Sequence, residues 1–493
     1  MKKQLIFVLL FPVVCVASSV LALPSPPRDG NDALRDSVVC LNISSYPYDQ
    51  FRPWKRSGLT QVNGCGCAVG PYEVLTTAYN VTDSTNIKVR RYGQNQFIAA
   101  SVKVVDYDSN LCLLELDSQA MEKPLVPVAF QTNYRKGAPV QFYRLTENNR
   151  IHSGRAYISD HKVTRHISHA SHLYYMVDNV SQNVGRGELF LLENKAIGIG
   201  AWSTSDEKEG GIIPAEIIQH FLEDFRQGDY EGFPLAGFTI DPLLDPALRR
   251  YLKMPDDMKH GVYVSDVYSL GTGADSLRRG DVIIAVDGNE IDGYGRYKHP
   301  QYQQLLFHPL ISSKNIGDQI DLDIWRNGLK ITLKVRAQNF KASQMLVPYY
   351  EYGRQPKYII WGGFLLQKLT RPYITNMRGK GTPLFQRYLD EMAFKPDKDR
   401  QDIVILSYTL PADINLGYQK LQQLVVKKCN GKNITAISDI LSAQKLNPQK
   451  KYDVIEFEFS NPDLVIPRDG ISEANALIAR RYGINKLNNI PDN

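Results

Sequence analysis

Between Ser37 and Gln227 the chain is written almost entirely in short β-prone runs separated by turns: SVVCLNI, CGCAVG, YEVLTTA, NIKVRRY, LCLLELD, APVQFYRL, LYYMVD and KAIGIGAW. Many short strands with turns at close intervals restrict the fold to a β-barrel or sandwich pair. The stretch closes on PAEIIQHFLEDF, whose apolar residues recur at helical spacing behind a proline suited to a first helical turn. The length, 493 residues, suggests roughly three domains.

Two more units follow and share a plan. Each opens on a glycine-containing apolar stretch, GFPLAGFTI or YIIWGGFLL, and continues with a strand, GVYVSDVY or DIVILSYTL. A strand pair with glycine at its turn comes next, GDVIIAVDGNEI or QQLVVKKCNGKNI, and DLDIWRNGLKITLKV or YDVIEFEF closes the unit. A period of roughly 100 residues fits duplicated domains rather than a solenoid.

The N-terminus reads as an export signal. Lys2 and Lys3 form the charged region, Leu5 to Val16 the apolar core, and Val20-Leu21-Ala22 a small-residue cleavage pattern. Pro12 interrupts an apolar run already short for a membrane span, and no later segment supplies one, so no stable span is expected. LPSPPRDG behind it is a proline-rich spacer. The net charge of +6 is spread without a basic block, which gives nucleic-acid binding no support.

Once the signal takes Cys15, Cys40, Cys65, Cys67, Cys112 and Cys429 remain, an odd set that leaves a free thiol or an intermolecular bridge. The Cys65-Gly66-Cys67 spacing lacks the second pair of a zinc pattern. Small buried strand residues are the expected state, and neither metal nor cofactor is expected.

On these residues the chain resembles the HtrA/Deg family. The strand-rich unit is similar to its trypsin-like domain, the repeats are similar to PDZ domains, and GGIIPAEIIQHFLEDFRQGDYEGFPLAGF is similar to the junction between them. The resemblance implies a mainly β chain, a chymotrypsin/trypsin-like double β-barrel followed by two α+β PDZ domains. The expected boundaries are 1–22 signal peptide, 23–36 linker, 37–231 trypsin-like domain, 232–338 first PDZ, 339–357 linker, 358–462 second PDZ and 463–493 tail.

That family cuts with a serine nucleophile, a histidine base and an aspartate that orients the histidine. The family histidine follows LTNA; here LTTA is followed by Tyr79. The aspartate stands before LALL; here NLCLL supplies Asn110. The serine stands in GNSGGP; an ungapped reading of DNVSQNVGRGELFLLENKAIGI puts Arg186 there, and a one-residue slip puts Gly187. Tyrosine, with a pKa of about 10, is a poor base at neutral pH. Asparagine carries no charge to steady an imidazolium, and protonated arginine has no lone pair to attack with. Val184 replaces the family glycine two residues before the serine, which disfavours a backbone that aims amides at an oxyanion. Ser181, Cys65 and Cys67 are the nearby alternative nucleophiles, and Asp108 is a displaced acid without an evident histidine. RHISHASH places His166, His169 and His172 in an expected polar loop beside the site, and His220 reads as a packing residue of its helix.

PDZ domains add an extended peptide to a sheet edge and capture its carboxylate with backbone amides. The resemblance puts the capture loops at Leu235-Ala236-Gly237-Phe238 and Gly362-Gly363-Phe364-Leu365, the second of which can instead pack internally. The expectation is an exported, periplasmic or secreted pseudoprotease that binds unfolded proteins or peptides as chaperone, scaffold or regulator in envelope quality control. The alternative is a serine-type endopeptidase with a non-standard site. The resemblance also implies a trimer-based homo-oligomer, or a mixed oligomer with an active Deg protease, and YPYDQFRPW is read as an assembly contact or as local packing. The sequons at Asn42, Asn80 and Asn433 read as coincidental beside a bacterial-type signal.

Overall fold

The computed structural model describes residues 34–178, 184–204, 208–379, 381–459 and 461–491. The expected signal peptide, most of the spacer and Ser181 lie outside them.

The strand-rich region forms two closed six-stranded barrels. The first contains β1 (Val38–Ser45), β2 (Thr60–Gly70), β3 (Glu73–Thr77), β4 (Ser84–Arg91), β5 (Ile98–Asp106) and β6 (Leu111–Leu116). Its order is β1-β2-β3-β6-β5-β4, closed by pairing of β4 with β1. The second contains β7 (Pro139–Leu145), β8 (Ile151–Arg165), β9 (Ser171–Asp178), β10 (Leu189–Leu192), β11 (Lys195–Ser203) and β12 (Glu209–Pro214). Its order is β10-β11-β12-β9-β8-β7. Closure removes the unpaired strand edges that an open sheet would present. Helix α1 (Ala215–Gln227) follows Pro214 and buries Ile217, Ile218, Phe221 and Leu222 against the second barrel.

The first repeat is a sheet of order β13-β14-β15-β19-β20. Its strands are β13 (Phe238–Asp241), β14 (Val262–Val267), β15 (Val282–Val286), β19 (Gln319–Arg326) and β20 (Leu329–Arg336). The short β16 (Asn289–Glu290) pairs with β15, and β17 (Arg296–His299) forms a separate hairpin with β18 (Gln303–Leu306). Asn327 and Gly328, both at positive φ, turn β19 into β20, the two-residue connection that matches strand twist.

The second repeat runs β21-β22-β23-β24-β26-β27. Its strands are β21 (Tyr358–Trp361), β22 (Phe364–Lys368), β23 (Val404–Thr409), β24 (Leu424–Cys429), β25 (Lys432–Asn433), which pairs with β24, β26 (Tyr452–Phe457) and β27 (Leu464–Pro467). Helix α2 (Ile471–Tyr482) packs on it through Ile478. The unit therefore runs beyond 462: part of the expected tail supplies an edge strand and a helix.

Both repeats are seated on the barrels. Tyr175 of β9 and Tyr302 of the first repeat donate to the buried carboxylate of Glu216 on α1. Ala170 shares one core cluster with Phe340, Met345, Phe385 and Phe394. YPYDQFRPW also belongs to this internal packing. The Phe51 and Tyr373 rings lie 5.1 Å apart, and the carbonyls of Pro53 and Gln50 accept from Gln355 and Gln367 at 2.8 and 3.1 Å. These contacts agree with the reading of the segment as local packing.

Candidate functional site

The cleft between the barrels is a cavity of about 630 Å³ lined by Tyr79, Arg144, His166, Arg186, Glu188 and Trp202 among others. Strand β3 ends at Thr77, and a single helical turn, Ala78–Val81, presents Tyr79 with its side chain 47% exposed. Asn110 is fully buried at φ +58°, a conformation asparagine tolerates better than most residues. Its side-chain oxygen accepts from the Tyr79 amide at 2.9 Å and its backbone oxygen from the Ala78 amide at 3.1 Å. Asn110 thus clamps the turn that carries Tyr79. The Arg186 guanidinium lies over the Tyr79 ring, 5.8 Å from its centre. The structure brings Tyr79, Asn110 and Arg186 together, and none of the three contacts is a proton relay.

The loop carrying Arg186 is organised by a residue the sequence reading passed over. Glu188 is fully buried, and one of its carboxylate oxygens accepts from the amides of Gly185 and Arg186 at 2.7 and 2.9 Å. Its other oxygen faces Arg144 at 3.6 Å. Burial pushes the Glu188 carboxyl up, while the amides and the Arg144 charge oppose that rise. The Arg186 carbonyl accepts from the amide of Cys65 and the side chain of Asn80, both at 2.8 Å. Gly187, at φ +92°, passes so close to β2 that a Cβ there would stand 2.4 Å from the Cys65 carbonyl.

An oxyanion site needs amides free to meet charge that develops on a substrate. Here the Arg186 amide already serves an internal carboxylate. The available signal was the acid in GRGE, two residues beyond Arg186.

The histidine cluster is not a polar loop as a whole. His166 does line the cleft, its ring 6.2 Å from Trp202. His169 and His172 are buried, and burial drives both down to about 3. His172 packs on Phe233, on which His220 also stacks at 4.5 Å. His169 stacks on Phe340 and stands 3.6 Å from a carboxylate oxygen of Asp108. Asp108 therefore has the histidine neighbour that sequence did not reveal, at a seam between units rather than in the cleft. Burial and nearby Asp106 raise the Asp108 carboxyl to about 8. Among the described residues no group of three His, Cys, Asp or Glu side chains is placed to hold a metal ion.

The two expected capture loops are built differently. In the first, the amides of Leu235 and Gly237 donate to the carbonyls of Gln338 and Thr272, both at 2.9 Å. Ala236 bridges Thr272, and Phe238 is buried parallel to Phe307 with ring centres 5.9 Å apart. In the second, Gly362 and Gly363 form the tight turn between β21 and β22. The Gly362 amide donates to Asn475 of α2, and Phe364 and Leu365 are buried in the unit's own cores.

A family model described as PDZ domain matches residues 347–488, reaching into both the expected linker and the expected tail. Protease Do-like 2, chloroplastic, of Arabidopsis thaliana is 29% identical over 475 residues, covering 93% of this chain and 76% of the relative. Putative protease Do-like 3, mitochondrial, of the same plant is 27% identical over 409 residues, covering 81% of this chain and 70% of the relative.

Over most of its length the chain is similar to proteases of the HtrA/Deg type.

Among solved structures, the HtrA-type protease AlgW with decapeptide is similar at 16% identity and a TM-score of 0.47, covering 62% of this chain and 98% of that one. The cleft of this chain carries Tyr79 and Arg186, with Asn110 clamping the Tyr79 turn and Glu188 beneath the Arg186 loop.

Proposed function

We propose that this HtrA/Deg-like protein is proteolytically inactive and acts by holding unfolded polypeptides or C-terminal peptides, as a chaperone, scaffold or regulator in protein quality control. The observation that carries the reading is Glu188 bound to the amides of Gly185 and Arg186, with arginine where the nucleophile would stand. Replacing a nucleophile removes attack; filling the amide site also removes transition-state stabilisation. Peptide addition is assigned to the first PDZ unit, because β13 ends its sheet and among the described strands pairs only with β14.

The purified chain, incubated with denatured casein and with a fluorophosphonate probe, is expected to show neither cleavage nor labelling. Cleavage or labelling that vanishes on substituting one named serine would establish the endopeptidase instead. A binding role predicts suppressed aggregation of a denatured client, weakened by altering Gly237 and Phe238; unchanged suppression would remove the first PDZ from the proposal.

The chain is proposed to be exported through its N-terminal signal. The chloroplastic and mitochondrial names of the relatives make an organelle the competing destination. N-terminal sequencing of the mature protein, with cell fractionation, separates the two. Assembly as trimers, alone or with an active Deg protease, is part of the proposal.

A further inference from the structure

Two thiols meet at the floor of the cleft. Cys40 on β1 and Cys65 on β2 are direct cross-strand partners, both are free, and both line the cavity. The hydrogen-bond pattern fixes the kind of pair. The Cys65 amide donates to the Arg186 carbonyl at 2.8 Å, and the Cys65 carbonyl accepts from the Thr76 hydroxyl at 2.6 Å. Both backbone groups of Cys65 therefore point away from β1. The ladder bond from the Ala68 amide to the Ser37 carbonyl, at 2.7 Å, gives the same alternation.

Cys40 and Cys65 thus form a non-hydrogen-bonded antiparallel pair, whose Cα atoms stand about 4.5 Å apart with side chains at closest approach. Disulfides span Cα separations of about 4.4–6.8 Å. On the same face, Asn42 and Asn63 already touch side chain to side chain at 2.9 Å.

We propose that Cys40 and Cys65 are an oxidisable dithiol, converted to a cross-strand disulfide by a peroxide entering the cleft. The Cys40 thiolate attacks one peroxide oxygen and the O–O bond breaks. The departing hydroxide takes a proton to become water, and Cys40 is left as a sulfenic acid. The Cys65 sulfur then attacks the Cys40 sulfur, and the hydroxyl leaves with the Cys65 proton as a second water. Two thiols lose two electrons and two protons, and one peroxide is reduced. Burial raises both thiols; Arg90, the Cα partner of Cys40 across β4, opposes the rise at Cys40, whereas Glu188 adds to it at Cys65. This assigns first attack to Cys40 and resolution to Cys65. The product rivets β1 to β2 directly beneath the Arg186 carbonyl.

The test uses the reduced full chain treated with hydrogen peroxide, denatured, blocked with N-ethylmaleimide, digested without reductant and read by mass spectrometry. The expected product joins the Cys40 peptide to the Cys65–Cys67 peptide, disappears on reduction, persists in Cys67→Ser and is lost in Cys40→Ser. In Cys65→Ser the Cys40 sulfenic acid is expected to accumulate and be trapped by dimedone, a readout independent of cross-linking. Circular dichroism of each variant establishes its fold. A Cys65–Cys67 link, an equal yield of cross-link in Cys40→Ser, or a folded wild-type chain whose Cys40 is unmodified or over-oxidised while Cys65 stays free would each overturn the proposal.

Discussion

The two repeats share a strand plan and part company at one edge. In the first, β13 follows the Leu235–Phe238 loop and stands last in its sheet. In the second, the corresponding β22 is an interior strand, paired with β23 on one side and β21 on the other. The outer side of β21 is covered in turn by the chain itself. The Ile360 amide donates to the Leu487 carbonyl at 2.7 Å, Ile359 bridges Asn488, and the Tyr358 amide donates to the Asn489 side chain at 2.8 Å. One added hairpin and a returning tail occupy the position where a peptide strand would add. By its free edge the first unit can accept an added strand, whereas the second cannot without displacing its own chain.

The sharpest way to break this contrast is at the glycines. Gly363 sits at φ +88°, and a Cβ there would lie 2.4 Å from the Asn415 side-chain nitrogen and 2.5 Å from the Leu410 carbonyl. Gly363→Ala should cost on the order of 3–5 kcal/mol, combining backbone strain with overpacking. Gly237 has no positive φ, although its Cβ would meet the Leu270 carbonyl at 2.6 Å, so Gly237→Ala should cost about 1–3 kcal/mol. Urea unfolding of each unit, followed by hydrogen exchange, gives the order; a larger loss at Gly237 would mean that the second turn is not the tighter structure.

The tail contact should give the next effect. Asn489 also donates to the Pro356 carbonyl at 2.9 Å, so Asn489→Ala removes two bonds at the start of β21 and should cost about 1–3 kcal/mol. Deleting the chain beyond Gly483 should unprotect the Tyr358 and Ile360 amides while leaving β13 exchange unchanged. Persistent protection of Ile360 in the truncated chain would show that the tail does not cover this edge.

How much of this the sequence disclosed follows from the range of each interaction. Strand runs and the glycine turns of the repeats are local, and they read correctly as two barrels and, in the second repeat, a PDZ domain. That Tyr79 would stand near Asn110 and Arg186 was expected from motif resemblance, and the three do meet around one turn and one cleft. Glu188 was not legible: its role depends on a buried carboxylate folding back onto amides within its own loop. The return of residues 487–489 to β21 was hidden for a different reason, since polar residues in a chain end carry no strand pattern. The contact between Asp108 and His169 joins residues far apart in sequence, and neither position announces the other.

The two seats on the barrels extend the comparison to pH. The first repeat is held by tyrosine hydroxyls on Glu216, the second by a seam containing Asp108 and His169. Below a pH of about 6.5 the unfolded His169 binds a proton that the folded one, lowered to about 3, does not, so acidification weakens the fold. Asp108, raised to about 8, has the opposite sign: its contribution is complete below the ordinary aspartate pKa and is lost as pH rises toward 8. The two slopes oppose each other between about pH 4 and 6.5, and above that, of the two, only that of Asp108 remains, at about 1.4 kcal/mol per pH unit. Urea midpoints should therefore fall between pH 6.5 and 8, and Asp108→Asn should flatten that fall. An unchanged slope in the variant would remove Asp108 as its source.

The smallest expected effect tests the cleft. Tyr79 is half exposed, and its ring contact with Arg186 is long, so Tyr79→His should change stability by no more than about 0.5 kcal/mol. It should also give no hydrolysis, even when combined with Asn110→Asp and Arg186→Ser. Those three changes supply a base, an orienting acid and a nucleophile, but Glu188 still holds the amide at position 186. Fluorophosphonate labelling of the triple variant with Glu188 intact would show that the carboxylate yields its amides readily. Labelling that requires the further change Glu188→Gly would locate the decisive loss beneath the loop, where the fold has turned an anion-binding site inward upon its own side chain.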